Sequence, residues 1–220
     1  MNKVISLKRF RFRRRKITSR PKRNVDVKPQ DRSINIFKII VSFASVFSVL
    51  LGSLFYSKIS SEELRQYFIN IINQLQGESF TNTFRTLCSI EIIFIAICFI
   101  LGTNLFGNIF ISLVPIAKTF LAGYIGALMY SKYELNGVLF SLIFFVPYFS
   151  VTSSILIAMT NEGYVMSKSM TNCIMQRKTA QEGLLQLFLI RFILIAVFDL
   201  LFVLLNSLLL SSFGTKISLQ

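Results

Sequence analysis

Five apolar stretches punctuate the chain, at residues 34–55, 84–101, 109–130, 135–159 and 184–213, with short polar segments between them. Each is at or near the roughly 20 residues a helix needs to cross the hydrocarbon of a bilayer. None carries the alternation of a barrel strand, and a lipid-exposed backbone must satisfy its own hydrogen-bonding groups, so the pattern predicts helices. Between the first two stretches, Ser61-Glu62-Glu63 precedes Leu64, Phe68, Ile71, Ile72 and Leu75, which recur on one helical face. Ser60 and Glu63 fit a capping box and Gly77 would end the element. A short amphipathic helix is expected over about 61–76, at the headgroup level or covering the mouth of the bundle on the extracytoplasmic side. Leu64, Phe68, Ile71 and Leu75 are its candidate partner surface. Residues 161–183, with Met166, Met170 and Ile174 on one face, read as a cytoplasmic helical loop. The fold class is all-α: a polytopic membrane bundle of five transmembrane helices with one short external amphipathic helix.

Charge orients this bundle. Residues 1–33 hold 13 Lys and Arg against Asp26 and Asp31, so the arm supplies most of the chain's net +14. Under simple alternation the inner flanks carry 16 basic residues, the arm plus Lys168, Arg177 and Lys178, against 5 outside, Lys58, Arg65, Arg85, Lys132 and Lys216. Basic residues near span ends favour the cytoplasmic side, so the N-terminus is expected inside and the tail, 214–220, outside. The arm is expected to lie on anionic lipid of the inner leaflet, which attracts each basic residue by about 1 kcal/mol. The same charge would permit contact with nucleic acid or an acidic protein, but no groove-reading motif accompanies it, and no nucleic-acid partner is expected. The first stretch starts late and lacks a small-x-small cleavage site, so it reads as a retained anchor of the membrane domain, 34–213.

Five ionisable residues fall within the apolar stretches: Lys38, Glu91, Lys118, Arg191 and Asp199. At mid-depth such a group costs about 2.5–3.5 kcal/mol, and it is usually paired or functional. Lys38 and Arg191 stand close enough to cytoplasmic ends to snorkel. Glu91, Lys118 and Asp199 are the candidate intramembrane contacts. Glu91 and Lys118 lie on consecutive antiparallel spans within reach of one another, and Asp199 competes for the same lysine. An ion pair that holds helices together and a proton or ion relay both use these groups.

Catalysis finds little support. The chain has no His, which removes His-assisted nucleophiles and His-ligated metals, and Cys88, Cys98 and Cys173 lack metal-ligand spacing. No Walker or dinucleotide fingerprint is present, and Asp199 is the only Asp in a span, so a paired aspartyl protease is not supported. No enzyme activity, cofactor or metal is implied.

Small and helix-breaking residues mark close contacts and turns. Gly102 and Gly107 bracket Thr103-Asn104-Leu105-Phe106 between the second and third spans; Gly123, Gly126 and Ala127 follow, then Gly137 and Pro147. Gly123 and Ala127 form a small-xxx-small face, and Pro147 frees a carbonyl inside the fourth span. The order and spacing resemble the stage II sporulation protein M family of small five-span bacterial membrane proteins. The matching run is Ile100-Leu101-Gly102-Thr103-Asn104-Leu105-Phe106-Gly107, then Lys118 eleven residues on, Gly123 five further, Gly137 fourteen further and Pro147 ten after that. Gly52 and the external amphipathic segment also fit, so the resemblance covers about 34–213. Three positions depart from it, Glu91 where Asn is expected and Tyr148-Phe149 in place of a polar pair after Pro147, and the basic arm is heavier than the usual short N-terminus.

The resemblance implies a non-enzymatic scaffold in the mother-cell membrane of endospore formers. Its expected partners are the peptidoglycan-degrading stage II sporulation proteins D and P, which it would position at the septum for forespore engulfment. The rival expectation is a small transporter or channel component using Glu91, Lys118 and Asp199. A third is a DNA tether using the arm.

Overall fold

A computed structural model describes residues 32–58, 61–77, 79–175 and 183–213, and every element in them is helical. Long helices are α1 (Arg32–Lys58), α3 (Phe80–Thr103), α5 (Leu113–Phe140), α6 (Val146–Met175) and α7 (Leu184–Phe213). The shorter ones are α2 (Glu62–Gly77) and the single turn α4 (Gly107–Phe110). A five-residue π-helical segment, Ser141–Phe145, joins α5 to α6. Most of the arm, 1–31, and the tail, 214–220, lie outside the described residues.

Four helical runs among the described residues are long and apolar enough to cross a membrane: Ile34–Lys58, Phe80–Thr103, Gly107–Ile174 and Leu184–Phe213. The third spans 68 residues, far more than the roughly 20 one crossing takes. It reverses at Glu134, whose φ of 49° is the one positive value at a non-glycine among the described residues. The backbone there leaves the helical region (ψ −129°) and the chain folds back until Gly137 lies against the Met129 carbonyl and Tyr133 Cβ. A side chain at position 137 has no room, which is why glycine occupies the return strand of the turn.

The helices run alternately up and down around two apolar clusters. One, at the α2 end, gathers Leu87 of α3, Tyr124 and Leu128 of α5, Phe144 and Tyr148 around the α6 start, and Val203 and Leu210 of α7. The other, toward the α3–α5 turn, gathers Cys98, Val114, Met159, Met166, Phe188 and Phe192. Outward faces are apolar too: Phe43, Ile93, Phe106, Leu142, Leu194 and Phe198 are all exposed. That distribution suits hydrocarbon rather than water, and supports a multi-pass membrane protein.

One boundary differs from that expected. The helix expected within 161–183 is not separate from the fourth apolar stretch; α6 runs unbroken from Val146 to Met175. The polar residues of this extension are used as contacts: Ser167 Oγ donates to the Asn104 carbonyl (2.6 Å) and accepts from the Asn108 amide (2.8 Å), while Thr171 donates to the Leu105 carbonyl (2.7 Å). They hold the α3–α5 turn, so the helix gains nothing by ending. At the α2 start, Ser61 accepts from the Leu64 amide (3.3 Å); Ser60, the expected cap, lies outside the described residues.

Pro147 falls in the first turn of α6, directly after the π-helical segment. The Val146 amide reaches back five residues to the Ser141 carbonyl, and that wider turn accommodates a residue with no amide hydrogen and a bulky ring.

Candidate functional site

Between the two apolar clusters each of four helices inserts a polar side chain. On α3, Glu91 follows Leu87 by one turn; on α5, Lys118 follows Val114; on α7, Asp199 lies between Phe192 and Val203; Tyr148 enters from α6. Lys118 Nζ is 2.5 Å from Glu91 Oε2, and the two side chains are 1% exposed. Tyr148 donates its phenolic hydrogen to Glu91 Oε1 at 2.6 Å. Both oxygens of one carboxylate are therefore engaged, one by a charge and one by a hydroxyl. Lys118 Nζ also lies 5.7 Å from the centre of the Phe94 ring. Asp199 is a close electrostatic neighbour of both Glu91 and Lys118, and its Oδ1 has no hydrogen-bond partner.

The cluster links α3, α5 and α6 by direct bonds and faces α7. All four residues are at most 2% exposed, so solvent has no entry to them. Removing one member would strand a buried charge or acceptor, a cost far larger than the net gain of making the pair.

The sequence brings forward Glu91, Lys118 and Asp199, and the fold gathers all three. It did not bring forward Tyr148 as a contact. The available signal was a phenol within an apolar stretch, which needs a hydrogen-bond partner when buried, and Glu91 supplies it. Arg191 lies apart from this cluster and pairs with Glu162 of α6 (3.4 Å).

The glycines divide by role. A Cβ at Gly102 would press on the Gly163 Cα and the Phe188 ring, so α3 and α6 touch backbone to backbone there. Gly107 abuts the Leu101 carbonyl, Gly123 the Val49 carbonyl and Gly52 the Phe120 carbonyl; the last two let α1 and α5 lie together along much of their length. Gly126 has open space above it, and Ala127 beside it lines the same hollow.

The proposed partner face of α2 needs correction. Leu75 is buried in the cluster at this end, Phe68 and Ile71 pack against it, and of the four only Leu64 is exposed. The amphipathic face is thus spent on the bundle's own core. Phe68 meets Tyr124 with ring centres 5.1 Å apart, Tyr133 donates to Asn73 Oδ1 (2.8 Å), and Arg65 donates to the Tyr56 carbonyl (3.2 Å). The helix covers the end of the bundle, and what it offers outward is its opposite side, with Tyr67 exposed.

Among the described residues no group of three or more His, Cys, Asp or Glu is placed to hold a metal ion, and all three cysteines are free. Compared with protein-family models, with curated proteins and with solved structures, the chain finds no match.

Proposed function

We propose that the chain is a non-enzymatic membrane scaffold with five crossings, its N-terminus in the cytoplasm and its C-terminus outside. The reversal at Glu134 supports counting the 68-residue run as two crossings. The observation that carries the scaffold reading is the Glu91–Lys118–Tyr148 cluster, buried and bonded within itself, which suits a fixed brace between helices better than a relay open to water. By its resemblance to the stage II sporulation protein M family, the protein would position membrane-anchored peptidoglycan-degrading partners, stage II sporulation proteins D and P, for forespore engulfment. The basic arm would rest on anionic lipid.

Co-purification of those two partners from sporulating cells, with expression confined to spore development, is the expected result. Expression in growing cells of a host that makes no spores would remove the engulfment role. Liposome flux measurements separate the transporter reading: lost flux in Lys118→Ala or Asp199→Ala with the bundle intact would favour it. A scaffold gives no flux in any variant. Reporter fusions at both ends test the crossing number, and signals from the same side would overturn it.

A further inference from the structure

The charges of the buried cluster do not balance. It holds two acidic side chains, Glu91 and Asp199, against one basic one, Lys118, and each residue is at most 2% exposed. Arg191, two turns before Asp199 on α7, is taken by Glu162. The other titratable groups near the cluster are Cys88 and Cys98 of α3 and Tyr148 of α6, and none of them supplies a positive charge. Among the described residues α2, which covers the end of the bundle, brings no charge to this depth. Fully ionised, the site would hold a surplus anion with no solvent to screen it.

The bonds distinguish the two acids. Glu91 accepts from the Lys118 ammonium on one oxygen and from the Tyr148 hydroxyl on the other, the surroundings of an anion. Asp199 has no such support. Lys118 attracts it but gives its ion pair to Glu91, and Asp199 Oδ1 has no hydrogen-bond partner. What lies within hydrogen-bonding reach of Asp199 is the Glu91 carboxyl. Two carboxylates offer each other only acceptors, whereas an acid and a carboxylate share a hydrogen bond.

We propose that Asp199 is a proton-binding site: in the folded chain it stands as a neutral carboxylic acid that donates to Glu91, and this shared proton joins α7 to the brace formed by α3, α5 and α6. The cluster is then neutral, with one ammonium, one carboxylate and one acid. Oδ1 is left as an acid carbonyl, which costs less to bury unpaired than an anionic oxygen. Loss of the proton sets two anions face to face on α3 and α7, so the joint closes with the proton and loosens without it. The inference deepens the scaffold reading and rests on it for a cluster closed to water.

The test is infrared difference spectroscopy of the full chain in lipid vesicles at neutral pH. A buried protonated carboxyl absorbs apart from carboxylates and amides, and the unsubstituted protein should show that band. Asp199→Asn should lose it, with the amide donating to Glu91 in the acid's place. Glu91→Gln should lose it too, because Asp199 then becomes the counter-ion of Lys118. No acid band in the unsubstituted protein, or one that survives Asp199→Asn, would overturn the proposal. Unfolding gives a second readout. The folded chain holds one proton more than the unfolded one, so above about pH 4 its folding constant should fall with rising pH relative to Asp199→Asn, by up to about tenfold per pH unit. Parallel profiles would overturn the proposal as well. Transfer to D2O separates it from the scaffold reading. An acid band that shifts only as slowly as the surrounding amides exchange supports both; one that shifts at once leaves the proton in place and removes the closed brace.

Discussion

Tyr148 donates to one oxygen of Glu91 while Lys118 grips the other, so a single carboxylate joins three helices inside the membrane domain. The tyrosine and the glutamate lie 57 positions apart in the chain.

Breaking this arrangement from one side should cost more than removing it. Glu91→Gln leaves the Lys118 ammonium with Asp199 as its remaining acidic neighbour, and Lys118→Met leaves two buried carboxyl groups, Glu91 and Asp199, without the cation between them, so the lysine change should cost more, about 3–5 kcal/mol. The double variant should recover part of that loss, with Asp199 still buried without a cation. Thermal unfolding in detergent over the full cycle measures it, and additive losses would show that the pair is not coupled.

Tyr148→Phe leaves Glu91 Oε1 without a donor but keeps the ion pair. The expected loss, about 1–3 kcal/mol, is smaller than for Glu91→Gln. Asp199→Asn should cost less than Glu91→Gln as well, since the Lys118 and Tyr148 bonds to Glu91 both remain. The ranking of unfolding midpoints is the readout.

Glycines in one helix should respond oppositely. Gly123→Ala drives a methyl into the Val49 carbonyl and should loosen α1 from α5 at a cost of about 1–3 kcal/mol. Gly126→Ala, three residues along, meets nothing within 4 Å and should stabilise by about 0.5–1 kcal/mol, since alanine is the better helix former. Protease protection of α1 distinguishes the two.

Ser167→Ala should release the α3–α5 turn, because the hydroxyl both donates to Asn104 and accepts from Asn108. The side chain is buried, and an orphaned amide there costs about 1–3 kcal/mol. Faster amide exchange at Asn108, with the Glu91 cluster unchanged, is the expected signature.

Tyr133→Phe cuts the link from α5 to Asn73 on α2. The expected loss is about 0.5–1.5 kcal/mol, confined to the cover helix. Hydrogen exchange should rise across α2 while the unfolding midpoint of the bundle holds. A global shift would mean that α2 is part of the core's cooperative unit.

The long helices were legible because their apolar runs match the thickness of a bilayer, and the polar trio was legible because ionisable groups are rare at that depth. The continuity of α6 was not: Met166, Met170 and Ile174 mark residues 161–175 as helical by their spacing, but only the distant carbonyls of Asn104 and Leu105 explain why they prolong the fourth span's helix without a break. The inward face of α2 was legible only in part, because an amphipathic pattern says that one side is covered without saying by what.

The wide turn at Ser141–Phe145 sets an angle. One residue of helix is about 100° of arc, so the extra residue in that turn fixes the azimuth of everything following Val146. Trim a single codon from it and Tyr148 swings away from Glu91, while Ser150 and Ser154, which line the hollow beside Gly126, rotate out of it. Two surfaces on different sides of one helix thus share a single adjustment, and neither can be re-aimed by evolution or design without moving the other.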